Sequence, residues 1–150
     1  MDEEAMNFNR LFLLVVLILG LSFAGGCRVQ NEGLVISGIW ARPSPMSAGN
    51  GAVYMWIENN NAESERLVSV SSEIANAVEL HLSKNQDGVM SMMQVEHIDI
   101  PAVGSVALEP GGYHVMLIGL KEEFKAGDVF EISLEFSSGQ IITVEVVVKE

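Results

Sequence analysis

The stretch Val129-Phe-Glu-Ile-Ser-Leu-Glu-Phe136 is followed by Ser137-Ser-Gly-Gln140 and then Ile141-Ile-Thr-Val-Glu-Val-Val-Val148. In the first run Phe130, Ile132, Leu134 and Phe136 fall on one side of an extended chain, and Glu131, Ser133 and Glu135 on the other. A period of two is the signature of a half-buried strand. Ser137-Ser138-Gly139 turns the chain, and a second β-branched run returns, so residues 129–148 read as a β-hairpin.

Working outward, the same pattern recurs. LVISGIWA (34–41) reads as a strand and RPSPMSAGNG (42–51) as a Pro/Gly/Ser-rich loop. AVYMWIE (52–58) is a strand closed by Asn59-Asn60-Asn61. RLVSVS (66–71) and AVELHLS (77–83) alternate. Seven to nine short strands at this spacing, with no convincing amphipathic helix, point to an all-β, antiparallel sandwich or barrel. The domain occupies residues 34–150. No internal repeat or low-complexity segment interrupts it.

The N-terminal residues read differently. LFLLVVLILGLSFA (11–24) is an uncharged apolar run, short for a membrane span and suited to a signal-peptide core. The other readings of this run are a buried helix or a retained anchor. Ala24-Gly25-Gly26 precedes Cys27, which looks like a bacterial lipobox with Ala24 where Leu is commonest. Residues 1–26 are therefore expected to be a lipoprotein-type signal peptide, with Met6 a candidate start in place of Met1. Cys27 would be the lipidated first residue and 27–33 a tether. Export to an extracytoplasmic, periplasmic location with a membrane lipid anchor follows, and Arg28 after Cys27 favours the outer membrane of a diderm host. Cys27 is the one cysteine, which excludes an intramolecular disulfide and leaves the domain without thiolate chemistry.

The chain carries 20 acidic and 8 basic residues. Without Asp2, Glu3, Glu4 and Arg10 the net charge is still about −10. Nucleic acid, which needs a basic face, is excluded as a partner. No nucleophile motif, phosphate loop or paired-carboxylate signal is present, so no enzyme activity is expected.

What needs explaining is a set of His and Met residues. In AVELHLS, Val78, Leu80 and Leu82 share one face, and Glu79, His81 and Ser83 the other. In GYHVMLIG (112–119), His114 and Met116 share the face opposite Tyr113, Val115 and Leu117. Between them, Asp87-Gly88 signals a turn; Met90 and Met92 then share a face, and Met93 points away. Thioether sulfur is soft and neutral, and imidazole is intermediate, so a site of both selects Cu(I) over Zn(II), Mg(II) or Ca(II). Singly, each Met is ordinary core filler and each His an ordinary surface residue. His97 reads as a surface residue. Glu79 is read as solvated rather than as a partner orienting His81.

The spacing His81-x10-Met92-x21-His114-x-Met116 resembles the H-x10-M-x21-H-x-M motif of the periplasmic Cu(A) copper-chaperone family. The flanks IWARPSP (39–45), GAVYMWIEN (51–59), DGVMSM (87–92), IPAVGSVALEPGGYHVMLIGL (100–120) and AGDVFEISLEFSSG (126–139) are similar to that family too, so the likeness spans nearly all of 34–148. One departure is Ser83, where many members carry a further Met; Met90 and Met93 are the candidate replacements, and strand parity favours Met90 as an auxiliary metal ligand. The resemblance implies a cupredoxin-like Greek-key sandwich that binds one Cu(I) through His81, Met92, His114 and Met116. It further implies delivery of copper to the Cu(A) subunit of cytochrome c oxidase, directly or with a Sco-type thiol copper protein. On this reading the site is exposed and borne on a hairpin, with Gly111-Gly112 setting His114 at a sheet edge. Two other readings stay open: copper sequestration for tolerance, and a metal-free, surface-tethered β-sandwich that binds protein or peptide.

Overall fold

The structure is a computed structural model that describes residues 33–44, 49–86 and 88–150. The signal-peptide, lipobox and tether expectations for residues 1–32, Cys27 included, lie outside the described residues.

The described chain folds into ten strands: β1 (Leu34–Ala41), β2 (Asn50–Asn59), β3 (Glu65–Ser71), β4 (Ala75–Gln86), β5 (Val89–Gln94), β6 (Ile98–Ile100), β7 (Gly104–Leu108), β8 (Tyr113–Leu120), β9 (Val129–Phe136) and β10 (Ile141–Val148). The expected all-β class holds. The strands outnumber the seven to nine expected because β6 and β7 are short pieces inside a stretch that shows little alternation. The β9–β10 hairpin has the bounds its alternation sets, pairing from Ile141–Glu135 to Val147–Val129.

Strand order is β5-β4-β8-β7-β2-β1-β10-β9-β3-β6. The edge of β2 is shared: Asn50–Val53 pair with β8, and Met55–Asn59 pair with β7. β1 is the corner strand. Gly38 takes a positive φ of 60°, the ladder to β2 shifts register between Ser37 and Trp40, and Trp40–Ala41 then also pair in parallel with Val147–Val148. Glycine fits that bend because it has no Cβ to clash at positive φ. Across the core, β3 packs on β4 and β6 on β2 and β7.

The interior is one cluster fed by alternate residues of both halves: Val53, Met55 and Ile57 from β2; Leu80 from β4; Val115 and Leu117 from β8; Ile132, Leu134 and Phe136 from β9; Val146 and Val148 from β10. Burying such side chains contributes about 1.5–3 kcal/mol each relative to exposure. Because Leu80, Val115 and Leu117 point inward, Glu79, His81, His114 and Met116 are turned to the opposite face of β4 and β8.

Candidate metal centre

Strand register gathers the expected donors. His81 on β4 lies directly opposite His114 on β8, and Glu79 opposite Met116. On the other side of β4, Ser83 lies opposite Met92 and Asn85 opposite Met90. Directly opposed residues of an antiparallel pair share a face, so His81, Met92, His114 and Met116 all project to one face of three adjacent strands, with Met90 beside them. Met93 pairs with Leu82 on the reverse face.

Met90, Met92, His114 and Met116 line an open cleft of ≈ 360 Å³, together with Arg42, Tyr54 and Ser83. His81 is not among the lining residues; its ring centroid lies 5.8 Å from that of His114. At about 2 Å per metal–nitrogen bond, that spacing leaves room for one ion between the two rings.

Each imidazole has one nitrogen engaged and the other left over. His81 Nε2 donates to Glu79 Oε2 at 2.9 Å. Its Nδ1 is buried without a hydrogen-bond partner, an unusual state for a buried polar atom. His114 Nδ1 donates to the Gly112 carbonyl at 3.2 Å, which leaves Nε2 as its lone-pair nitrogen. These partners fix complementary tautomers. His114 is almost wholly buried, and burial pushes its pKa below the usual histidine value; the neighbouring His81 acts in the same direction, against the opposing pull of the Gly112 carbonyl. A neutral imidazole is the form that binds metal.

Three expectations are corrected. Glu79 is not simply solvated: it is half-buried and holds His81. His114 is not at a sheet edge, because β8 runs between β4 and β2. The site as a whole is not exposed: Met92, on the true edge strand β5, is 55% exposed, whereas His114 is 3% exposed. Gly111, at φ 86°, does make the turn before β8. Ser83 is buried in the cleft beside Met92, where many family members place a further thioether. His97 lies away from the cleft, 3.6 Å from Asp99. Among the described residues no three His, Cys, Asp or Glu side chains gather as a metal site.

Sequence reading missed the aromatic wall. Trp40 pairs with Tyr54 across the β1–β2 ladder, their rings 4.7 Å apart. Tyr54 in turn lies 6.3 Å from the His114 ring, and Arg42 sits 5.9 Å from each of the Trp40 and Tyr54 ring centroids. The alternation of AVYMWIE signals the strand and does not say which partner Tyr54 meets.

The family model described as "Putative lipoprotein LpqE-like" matches residues 34–148. The chain belongs to the LpqE-like family. A relative named "Putative lipoprotein Lxx21020", from Leifsonia xyli subsp. xyli, is 32% identical over 124 residues, 81% of this chain and 72% of that protein. "Uncharacterized protein RP573" of Rickettsia prowazekii is 34% identical over 113 residues, 71% of this chain and 62% of that protein. Among solved structures, this LpqE-like chain matches the solution structure of CuI-DR1885 from Deinococcus radiodurans at 29% identity and a TM-score of 0.65, covering 86% of this chain and 85% of that one. It shares its fold with the copper-bound PCuAC domain from PmoF2, at 23% identity and a TM-score of 0.67, over 79% and 93% of the two chains. PCuAC domains have a cupredoxin-like β fold, and this LpqE-like chain shares it.

Proposed function

We propose that this protein is an exported, non-enzymatic copper carrier that holds one Cu(I) through His81 Nδ1, Met92 Sδ, His114 Nε2 and Met116 Sδ. The observation that carries the reading is the registered face of two His and two Met, with a buried His81 nitrogen that has no other partner. That the PmoF2 PCuAC domain is copper-bound and the DR1885 structure is of its CuI form supports it. The lipoprotein naming of the family and of the Leifsonia relative supports a lipid anchor, for which Cys27 is the one candidate thiol.

The chemistry follows from the donors. Thioethers need no deprotonation, so the four ligands add no charge and suit a monocation. Burial keeps His114 neutral and ready to bind. Glu79 holds Nε2 of the His81 ring and so leaves Nδ1 as the nitrogen with a free lone pair, as carboxylates do for metal-bound imidazoles. Met92, on the exposed edge, is the ligand an incoming partner reaches first. A partner thiol loses its proton to solvent as its sulfur displaces Met92, and the remaining donors then leave in turn. No electron is exchanged. The open cleft favours exchange over storage, and so favours delivery over sequestration.

The client on this reading is the Cu(A) subunit of cytochrome c oxidase, with a Sco-type thiol protein as an alternative intermediary. Anaerobic mixing of the Cu(I)-loaded protein with a soluble apo Cu(A) domain, followed by separation and copper analysis, tests this. Copper recovered on the Cu(A) domain is the expected result. Copper retained on this protein, and released only to strong chelators, would point to sequestration.

A further inference from the structure

The mouth of the cleft is unlike the rest of the molecule. The chain as a whole has a formal charge of −12. Among the described residues lining the cleft, however, the one with a permanent charge is a cation, Arg42. Beside it the cleft is lined by two exposed thioethers: Met90 is 63% exposed and Met92 55%. β5 itself carries no charged residue and forms the free edge of the sheet, although natural edge strands are commonly guarded by charge or proline.

Arg42 is exposed, yet it is positioned. Its guanidinium lies within reach of the faces of Trp40 and Tyr54, at 5.9 Å from each centroid, close enough for cation–π attraction to narrow its freedom. Among the described residues no carboxylate lies within ion-pairing distance of it, whereas Arg66 and Lys125 both have one. A planar guanidinium held in place, with donors that no carboxylate among the described residues takes up, is suited to a carboxylate from another molecule, which it can engage through two parallel hydrogen bonds.

We propose that the cleft mouth is a docking surface for an acidic segment of a partner protein, with Arg42 receiving an Asp or Glu next to the thiols that take the copper. This rests on the Cu(I)-carrier reading and adds the chemistry of the partner. The alternative occupant of an uncharged edge, a second copy of this chain, is disfavoured because its sequence holds one cysteine, Cys27, and so lacks the pair of thiols that such an acceptor brings. The Debye length is about 8 Å at physiological salt. The distant acidic surface is therefore screened there, while a contact at Arg42 is not.

The test is a transfer experiment with two synthetic peptides of sequence Cys-Gly-Gly-Cys, one flanked by Asp and one by Lys, with blocked termini. Each competes for Cu(I) from the loaded protein, anaerobically, at about 0.15 M salt. Net charge alone makes the Lys peptide the faster acceptor of an acidic donor. Docking at Arg42 makes the Asp peptide faster, by about two- to fivefold, the size of an exposed ion pair. The preference should vanish in Arg42→Gln and survive in part in Arg42→Lys. A faster Lys peptide with the wild-type protein overturns the proposal without any variant. So does an Asp preference that Arg42→Gln leaves unchanged. Arg42-dependent binding to anionic phosphatidylglycerol vesicles without a peptide preference would overturn it in favour of a lipid surface. Absence of Cu(I) loading at the outset would instead contradict the carrier reading itself, so the two failures are distinct.

Discussion

Glu79 carries one negative charge, and the alternation of its strand places it on the side away from the core. From sequence, solvation is the simplest fate for such a residue. The structure turns it along the strand to accept a hydrogen bond from His81 Nε2, two residues on. That single contact decides which imidazole nitrogen is free for a metal. Side-chain direction within a face is a rotamer choice, and period-two logic does not reach it. The same holds for Arg42 and Tyr54, which meet through a ladder that exists only after the β1 bend. That His81, Met92, His114 and Met116 share a face was legible because strand alternation sets it, and the register of β4 with β5 and β8 brings them side by side. Replacing Glu79 by Leu removes the acceptor and lets the His81 ring reorient. Cu(I) affinity is then expected to fall by about 10- to 100-fold, with Glu79→Gln falling less because its amide oxygen still accepts. A chelator competition titration of the three proteins checks this; equal affinities would remove Glu79 from the site.

At the scale of elements, strands with clean alternation were legible to the residue: β1, β9 and β10 keep the bounds their sequences set. β4 runs from Ala75 to Gln86, beyond the expected 77–83, because its ends pair with β8 and β5 rather than because of their own side-chain pattern. Non-local pairing also decides that β8 is interior. A further tie joins distant elements. Glu65 at the start of β3 accepts hydrogen bonds from the Ser137 hydroxyl and from the backbone N–H groups of Ser138 and Arg66, so it holds the β9–β10 turn. Burial raises the pKa of this carboxyl, but the hydrogen bonds outweigh it and lower the value to about 2. The unfolded chain therefore takes up the proton first as acid is added. The stabilisation is full above the ordinary glutamate value of 4.5 and is lost as pH falls toward about 2. Urea midpoints should put Glu65→Gln below wild type at neutral pH, with the gap closing between those limits. A gap that stayed constant with pH would rule out the charge as its source.

At the scale of the molecule, the fold separates two jobs. One face of β4 and β8 supplies core residues and fixes the backbone. The other carries His81, His114 and Met116, while edge strand β5 brings Met92 and Met90 from the exposed side. On the carrier reading, the buried imidazoles are the ligands held in set orientations, and the rim thioether of Met92 is the one to be displaced. The central claim is that these four side chains together hold one Cu(I). The most direct measurement is an anaerobic competition titration of the purified protein against a chromogenic Cu(I) chelator, wild type beside Met92→Ala/Met116→Ala. The account predicts one tightly held equivalent in the wild type and sharply weakened binding in the double variant. Failure of the wild type to compete with the chelator, or binding indifferent to the loss of both methionines, would contradict it.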